Sequence, residues 1–134
     1  MTTTPPAPPA PGTVPWFEVA TDDLGAAERF YGGLFAWTFA VDEASQAGGL
    51  DYRLVSAPGG GAPIGGLFGT GGALPGHAVF CVTVADVEAT CAAAEELGGT
   101  VLSKHLDVGP GVPAFAYLRD PAGQQIGIFS PAAP

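Results

Sequence analysis

The chain has 134 residues, of which 47% are hydrophobic and 13% charged, and its formal net charge is −9. This length fits one domain, large enough to fold without a disulfide or a structural metal. Only four residues are Lys or Arg, which excludes nucleic acid and an anionic membrane as partners. The N-terminus lacks the features of a signal peptide and no apolar stretch could span a bilayer, so we expect a cytoplasmic protein.

The first half of the chain predicts one strand, one helix and three further strands. Thr, Pro and Ala dominate residues 1–12, which predicts a disordered Pro-rich tail before a single domain over residues 13–132. Asp22 or Asp23 is the expected N-cap of a helix over residues 24–34. Apolar runs predict strands at 14–20, 36–41, 51–57 and 63–69, and the Gly-rich stretch 70–76 predicts a linker.

The second half predicts the same order of elements. A strand at 77–84 precedes a helix over residues 87–97, which Asp86 caps and Gly98-Gly99 ends. Three more strands are expected within TVLSKHLDV, PAFAYLRD and QQIGIFS. The apolar helix faces are predicted from Ala27, Phe30, Tyr31 and Leu34 in the first helix and from Val87, Cys91, Ala94 and Leu97 in the second.

The two halves form an internal repeat. Sliding the chain by about sixty residues places Asp23 on Asp86, Leu34 on Leu97 and Gly61 on Gly123. One module alone would expose the apolar face of its sheet, whereas two modules side by side can curl around a shared cavity. The repeat therefore predicts modules over 13–70 and 77–132 with a small-molecule pocket between them.

Three segments carry a family resemblance. DLGAAERFYGGLFAW (23–37) is similar to the helix of the vicinal oxygen chelate superfamily, also called the glyoxalase/bleomycin resistance/dioxygenase group. DVEATCAAAEELGGTVL (86–102) repeats that pattern, and DPAGQQIGIFSP (120–131) resembles the closing strand of the family. Position 36 departs from it, with Ala where the family usually has Gly. The resemblance implies an α+β fold in which tandem βαβββ modules form a cup-shaped mixed sheet, and it implies a homodimer.

The resemblance also implies where a metal would bind. Metal-dependent members take ligands from the first and last strands of the modules, at positions that Trp16, Val79, Gly65 and Gly127 occupy here. None of these side chains can coordinate a metal, so we expect no metal and no cofactor. A shift of two residues keeps the same strand face and defines an alternative in which Glu18 and His77 are ligands, with Gln125 as a weak third.

Strand alternation predicts the lining of the pocket. The expected ligand-binding residues are Trp16, Glu18, Val79, Cys81, Thr83, Gln125, Gly127 and Phe129. This lining is apolar and aromatic with few polar groups, which suits a planar or hydrophobic organic molecule.

Glu18 is the candidate catalytic residue, because a carboxylate in an apolar cup is a tunable acid or base. The alternative is a solvated Glu18, or one paired with Arg29, Arg53 or Arg119. Cys81 lacks a recognisable neighbouring base, so we expect both Cys81 and Cys91 to be buried, unreactive thiols. We expect His77 and His105 to be exposed strand residues. We expect Tyr52, Tyr117 and Trp37 to lie in the core or in the wall of the pocket.

Four functions remain open from the sequence. The first is a metal-independent protein that binds a hydrophobic organic molecule, for sequestration, resistance or secondary metabolism. The second is a metal-free isomerase, lyase or cyclase that uses Glu18 for proton transfer. The third is a metal-dependent lyase or dioxygenase with displaced ligands, and the fourth is a pseudo-enzyme that binds another protein.

Overall fold

A computed structural model describes residues 9–72 and 76–131, so most of the expected Pro-rich tail lies outside the described residues. Within these ranges the chain forms eight strands and three helices. Their bounds are β1 Trp16–Thr21, α1 Leu24–Phe35, β2 Thr38–Val41, α2 Glu43–Ala47, β3 Tyr52–Ser56, β4 Gly65–Gly69, β5 His77–Thr83, α3 Val87–Glu96, β6 Thr100–His105, β7 Phe115–Arg119 and β8 Gln125–Phe129. Each half carries the strand, helix and three strands that the repeat predicts, which confirms the fold class. Of the described helices, none has the length and apolar character that a membrane span requires.

All eight strands belong to one mixed sheet, in the order β2-β3-β4-β1-β5-β8-β7-β6. The first strands of the two modules, β1 and β5, pair antiparallel at its centre. Each of them also pairs in parallel with the last strand of its own module, β1 with β4 and β5 with β8. The two modules therefore meet along their first strands, and the centre of the sheet contains residues from both.

The outer ends of this sheet approach each other. A Cβ built on Gly48, after α2, would lie 3.6 Å from Cγ1 of Val108 in the β6–β7 loop. A Cβ built on Gly111 in the same loop would lie 3.5 Å from Cβ of Ala44 in α2. Because β2 and β6 are the two outermost strands, these contacts across the sheet mean that it curls into a cup.

Both long helices begin at the predicted caps. The side chain of Asp23 accepts a hydrogen bond from the amide of Ala26, and that of Asp86 accepts one from the amide of Ala89, each at 3.0 Å. These bonds satisfy amides that have no partner within the helix. α1 ends at Ala36, whose φ of 58° is left-handed, the conformation for which glycine is the usual residue.

The two helices cover the sheet to different extents. The core between α3 and the sheet contains Val87, Cys91, Ala116, Leu118 and Ile128, all at most 5% exposed. α1 has no buried residue. It packs instead through an aromatic cluster, defined by the rings of Phe17, Tyr31, Phe35 and Trp37, whose neighbouring centroids lie 5.2 to 6.3 Å apart.

Parts of the predicted helix faces are wrong. Phe30 and Leu34 of α1 are 61% and 60% exposed, and Leu97, which follows α3, is 79% exposed. The rest of each predicted face is turned towards the sheet: Ala27 and Tyr31 of α1 are half-buried, and Val87, Cys91 and Ala94 of α3 belong to or pack against the core. The short helix α2 is not predicted by the sequence pattern, because five residues carry too little periodicity to reveal it.

Candidate functional site

The strand register places all the predicted lining residues on one face. Glu18 pairs with Val79 and Trp16 pairs with Cys81, and directly paired residues share a face of the sheet. Cys81 pairs in turn with Gly127, and Thr83 with Phe129. The helices pack on the opposite face, where Phe17 stacks on Trp37. The concave face is therefore lined by Trp16, Glu18, Val79, Cys81, Thr83, Gln125, Gly127 and Phe129, together with Tyr52, Gly66, Phe68, His77 and Tyr117 from the same register.

Glu18 lies at the centre of this face and is held by two tyrosines. Tyr52 donates a hydrogen bond to Oε2 of Glu18 at 2.9 Å, and Tyr117 donates one to Oε1. The indole Nε1 of Trp16 donates to the Tyr52 hydroxyl at 3.0 Å. Since Tyr52 belongs to the first module and Tyr117 to the second, one carboxylate connects both halves of the chain.

The alternative of a solvated or arginine-paired Glu18 is wrong. The side chain of Glu18 is 12% exposed. Arg53 pairs instead with Glu28 at 3.2 Å and with Asp51 at 2.6 Å. The predicted placement of Glu18 in the cup beside Trp16 is what the structure shows, and its partners are hydroxyls rather than cations.

The tyrosines around Glu18 remain protonated. Burial, followed by the charge of Glu18, raises the pKa of Tyr52 and of Tyr117 far above the ordinary value. Both phenols are therefore donors to the carboxylate throughout the physiological range. Burial, reinforced by the charge of Glu18, also raises the pKa of the Cys81 thiol to about 12, as expected for an inert thiol.

His77 is not the exposed strand residue that the sequence predicts. Its side chain is 17% exposed, and its ring lies 5.2 Å from that of Tyr117. The Gln125 amide nitrogen lies 3.1 Å from Nδ1 of His77. With that nitrogen donating, Nδ1 is the acceptor and Nε2 is the nitrogen that carries the proton. Nε2 is buried without a hydrogen-bond partner among the described residues, 3.9 Å from Oε1 of Glu18. His105, by contrast, is exposed as predicted.

The space for a family metal ligand is filled by other side chains. A Cβ built on Gly66, the β4 residue that faces Glu18, would lie 1.8 Å from the Tyr52 hydroxyl. A Cβ on Gly127 would lie 3.0 Å from Sγ of Cys81. Gly65 was the expected position in β4, but it faces the helices, with its ideal Cβ 2.5 Å from the Phe17 ring, so that assignment is wrong by one residue.

The side chains on the concave face do not fit a resident metal. Among the described residues no three His, Cys, Asp or Glu side chains are close enough together to hold an ion. The displaced set of Glu18, His77 and Gln125 is brought together, yet both Glu18 oxygens already accept bonds from tyrosines, and the Gln125 amide nitrogen faces His77.

A further open cavity borders the concave face at His77. Its volume is about 570 Å³, and it lies where β1 ends and α1 begins. The residues that line it are Val19, Ala20, Thr21, Asp22, Asp23, Ala26, Ala27, Phe30, Tyr31, Gly76, His77 and Ala78. This cavity holds none of the hydrogen bonds around Glu18, and we therefore place the candidate site on the concave face, where the buried polar groups converge.

The roles of the two tyrosines were missed from sequence. Tyr52 and Tyr117 were expected in the core or wall, and each is separated from Glu18 by many residues in the chain. Alternation within their strands limits each to one of two faces. Only the register of β3 with β4 and of β7 with β8 directs both hydroxyls at the same carboxylate.

A model of the glyoxalase-like domain family matches residues 16–129. A glyoxylase-like domain-containing protein of Didymella fabae is 29% identical over 84% of this chain and 88% of its own length. The anthracycline biosynthesis proteins DnrV of Streptomyces peucetius and DauV of Streptomyces sp. (strain C5) are 33% and 32% identical over 90% of this chain. The match spans 47% of each, so the chain spans about half the length of these two relatives.

Solved structures show the same fold. A methylmalonyl-CoA epimerase of Streptomyces coelicolor, in complex with 2-nitronate-propionyl-CoA, has a TM-score of 0.63 at 18% identity, with 92% of this chain and 100% of that chain covered. The Mn(II)-bound glyoxalase of Novosphingobium aromaticivorans has a TM-score of 0.58 at 17% identity, with 92% and 40% covered. At such identities the likeness concerns the fold alone. With the family model spanning nearly the whole described domain, the chain belongs to the glyoxalase-like domain family of the vicinal oxygen chelate superfamily.

Proposed function

We propose that this protein binds a planar, largely apolar organic molecule on its concave face without a resident metal. The observation that carries the proposal is the Glu18 carboxylate, buried among aromatic rings and held by Tyr52 and Tyr117 where the family's metal ligands would stand. Aromatic walls with a few fixed polar groups are the ordinary composition of a site for a small organic ligand.

The state of Glu18 favours binding over turnover. Each oxygen of Glu18 accepts a bond from a phenol that keeps its own proton, so the carboxylate is held in place as a hydrogen-bond acceptor. The high pKa of Tyr52 and Tyr117 prevents these groups from serving as bases near neutral pH. The hydrogen bonds from Tyr52 and Tyr117 instead hold the Glu18 carboxylate in a fixed position, as in a preorganised polar contact for a ligand. The enzyme that uses Glu18 for proton transfer is thus the second candidate.

The relatives support an aromatic ligand class. Two of them are named as anthracycline biosynthesis proteins, which suggests a planar aromatic ligand and a role in secondary metabolism. Because the chain spans about half of their length, their whole activity is not transferred to this protein. Location in the cytoplasm and a homodimer remain predictions from the sequence.

Tryptophan fluorescence tests the proposal directly. The chain has two tryptophans, Trp16 on the concave face and Trp37 in the aromatic cluster. In a Trp37→Phe variant we expect anthraquinone, a neutral planar quencher, to bind saturably and to quench Trp16 emission equally with and without a chelator. The matched Trp16→Phe variant, in which only Trp37 emits, should show little saturable quenching.

Three results would oppose the proposal. Absence of saturable quenching in the Trp37→Phe variant would contradict binding on the concave face. Loss of binding on chelation, restored by a divalent ion, would contradict metal independence. Conversion of the bound compound, abolished in Glu18→Gln, would favour the enzyme over the binding protein.

A further inference from the structure

The concave face contains a polar group that the Glu18 network leaves unused. Nε2 of His77 is buried without a hydrogen-bond partner among the described residues, and the Gln125 amide nitrogen contacts Nδ1 on the other side of the ring. With that nitrogen donating to Nδ1, Nε2 is the free donor. A buried donor without a partner lowers the stability of the folded protein. Such a donor is expected to be paired when the site is occupied.

The distance from this donor to Glu18 defines what can pair with it. Nε2 of His77 and Oε1 of Glu18 lie 3.9 Å apart, which is too far for a direct hydrogen bond. A single oxygen at about 2.8 Å from each atom can bridge them once a small shift of the side chains admits it to the buried Nε2. It would accept a hydrogen bond from Nε2 and donate one to Oε1, which also accepts from Tyr117 and has a second lone pair free.

Glu18 and His77 together can pair with only one kind of functional group on a ligand. A carbonyl or ether oxygen can accept from His77 but cannot donate to the Glu18 carboxylate. An ammonium group can donate to Glu18 but cannot accept from the Nε2 proton. A hydroxyl group does both with one atom, as Tyr52 does when it accepts from Trp16 and donates to Glu18.

We propose that Glu18 and His77 form a receptor for a hydroxyl group on the aromatic ligand, so that the protein selects hydroxylated aromatic compounds. This inference rests on the proposed function and specifies its ligand class. The Phe68 and Tyr117 rings lie 5.8 and 5.2 Å from the imidazole and provide apolar walls beside the receptor. The hydroxyl is therefore expected on the part of the aromatic skeleton that reaches His77.

A matched series of small aromatics tests the receptor by calorimetry. β-Naphthol donates and accepts, its methyl ether accepts only, and naphthalene does neither. We expect the wild-type protein to bind β-naphthol at least about tenfold more tightly than naphthalene, because bonds to a charged group are the stronger kind. The methyl ether should bind about as weakly as naphthalene.

Variants assign the preference to the imidazole. His77→Phe should lose the preference and bind β-naphthol and naphthalene with about equal affinity. His105→Phe is the matched control, since His105 is exposed, and should keep the wild-type preference. Because His77→Phe could disturb packing, nitrogen NMR of the wild-type imidazole provides a second measurement. β-Naphthol should shift the Nε2 resonance, and naphthalene should leave it nearly unchanged.

The results separate this inference from the proposed function. Equal affinity of the wild-type protein for the three compounds contradicts the receptor. An ordered water that the hydroxyl cannot displace from His77 and Glu18 would give this result and would equally contradict it. Binding of anthraquinone with no binding of any naphthalene also contradicts the receptor but leaves the proposed function standing. If neither anthraquinone nor any naphthalene binds, both proposals fail.

Discussion

At the scale of single residues, the hydrogen bonds on the concave face depend on a glycine, Gly66. Gly66 lies directly beside Glu18 in the sheet, and the Tyr52 hydroxyl occupies the volume next to its Cα. A glycine in a central strand is ordinarily unfavourable, because it packs no side chain and loses more chain entropy on folding. Here it allows a phenol from β3 to reach a carboxylate on β1.

Replacement of Gly66 by alanine tests that dependence. The new Cβ would lie 1.8 Å from the Tyr52 hydroxyl and 2.1 Å from Cζ, so the ring must move and lose its bond to Glu18. We expect Gly66→Ala to lower the free energy of unfolding by about 2 kcal/mol or more, from overpacking and from the lost hydrogen bond. Urea denaturation measures the change.

A second glycine provides the control. Gly33 lies within α1, and a Cβ built on it meets nothing within 4 Å. Gly33→Ala should raise the free energy of unfolding by about 0.5–1 kcal/mol, because alanine is the better helix former. A Gly66→Ala protein as stable as this control would show that the space beside Tyr52 is not required.

At the scale of secondary-structure elements, the two modules end their helices differently. α1 closes on Ala36, whose φ is 58°, whereas Gly98, with a φ of 93°, follows α3. A left-handed conformation brings Cβ of an L-residue close to its own carbonyl oxygen, a cost that glycine does not have. The departure at position 36 from the family's usual Gly is thus a local strain in the first module.

Exchanging the two residue types should move stability in opposite directions. We expect Ala36→Gly to raise the free energy of unfolding by about 1 kcal/mol and Gly98→Ala to lower it by about the same amount. Thermal and urea unfolding of the two single variants measure the pair. A loss of stability in Ala36→Gly would mean that the greater chain entropy of glycine outweighs the relief of strain.

Element order and helix starts could be predicted because they depend on local chemistry. Asp23 and Asp86 cap the helices through bonds to amides three residues ahead, a signal that is complete within the local sequence. The exposure of Phe30 and Leu34 could not be predicted in this way. Spacing identifies an apolar stripe on a helix, but the rotation of the helix on its sheet depends on contacts such as the stacking of Tyr31 on Trp37.

The candidate site was predictable only in part, for a related reason. Strand alternation correctly places Trp16, Glu18 and Cys81 on one face, since the period of a strand is fixed. The partners of Glu18 and the burial of His77 depend on the register between strands distant in sequence, which alternation leaves open. The one-residue error at Gly65 has this origin, because the two modules differ in length between their first and last strands.

At the scale of the whole molecule, the buried acids on the concave face couple stability to pH. Tyr52 and Tyr117 belong to different modules and both donate to Glu18, and Cys81 packs among them. Burial together with the charge of Glu18 raises the pKa of all three above their ordinary values of 10.0, 10.0 and 9.0. Each therefore binds its proton more tightly in the folded than in the unfolded protein.

The sign of the pH dependence follows from this difference. A group whose pKa is raised on folding contributes its full stability below the pKa of the unfolded chain, and the contribution falls as pH rises above that value. We expect the free energy of unfolding to decline from about pH 9 upwards, with a slope of up to about 1.4 kcal/mol per pH unit for each group that titrates only when unfolded. Urea denaturation at a series of alkaline pH values, with a reducing agent present, measures the slope.

Tyr117→Phe should make this slope shallower, whereas Tyr31→Phe, in the aromatic cluster on the helix side, should leave it unchanged. A stability that stays constant well above pH 10, or a slope that Tyr117→Phe does not alter, would contradict the buried proton network around Glu18.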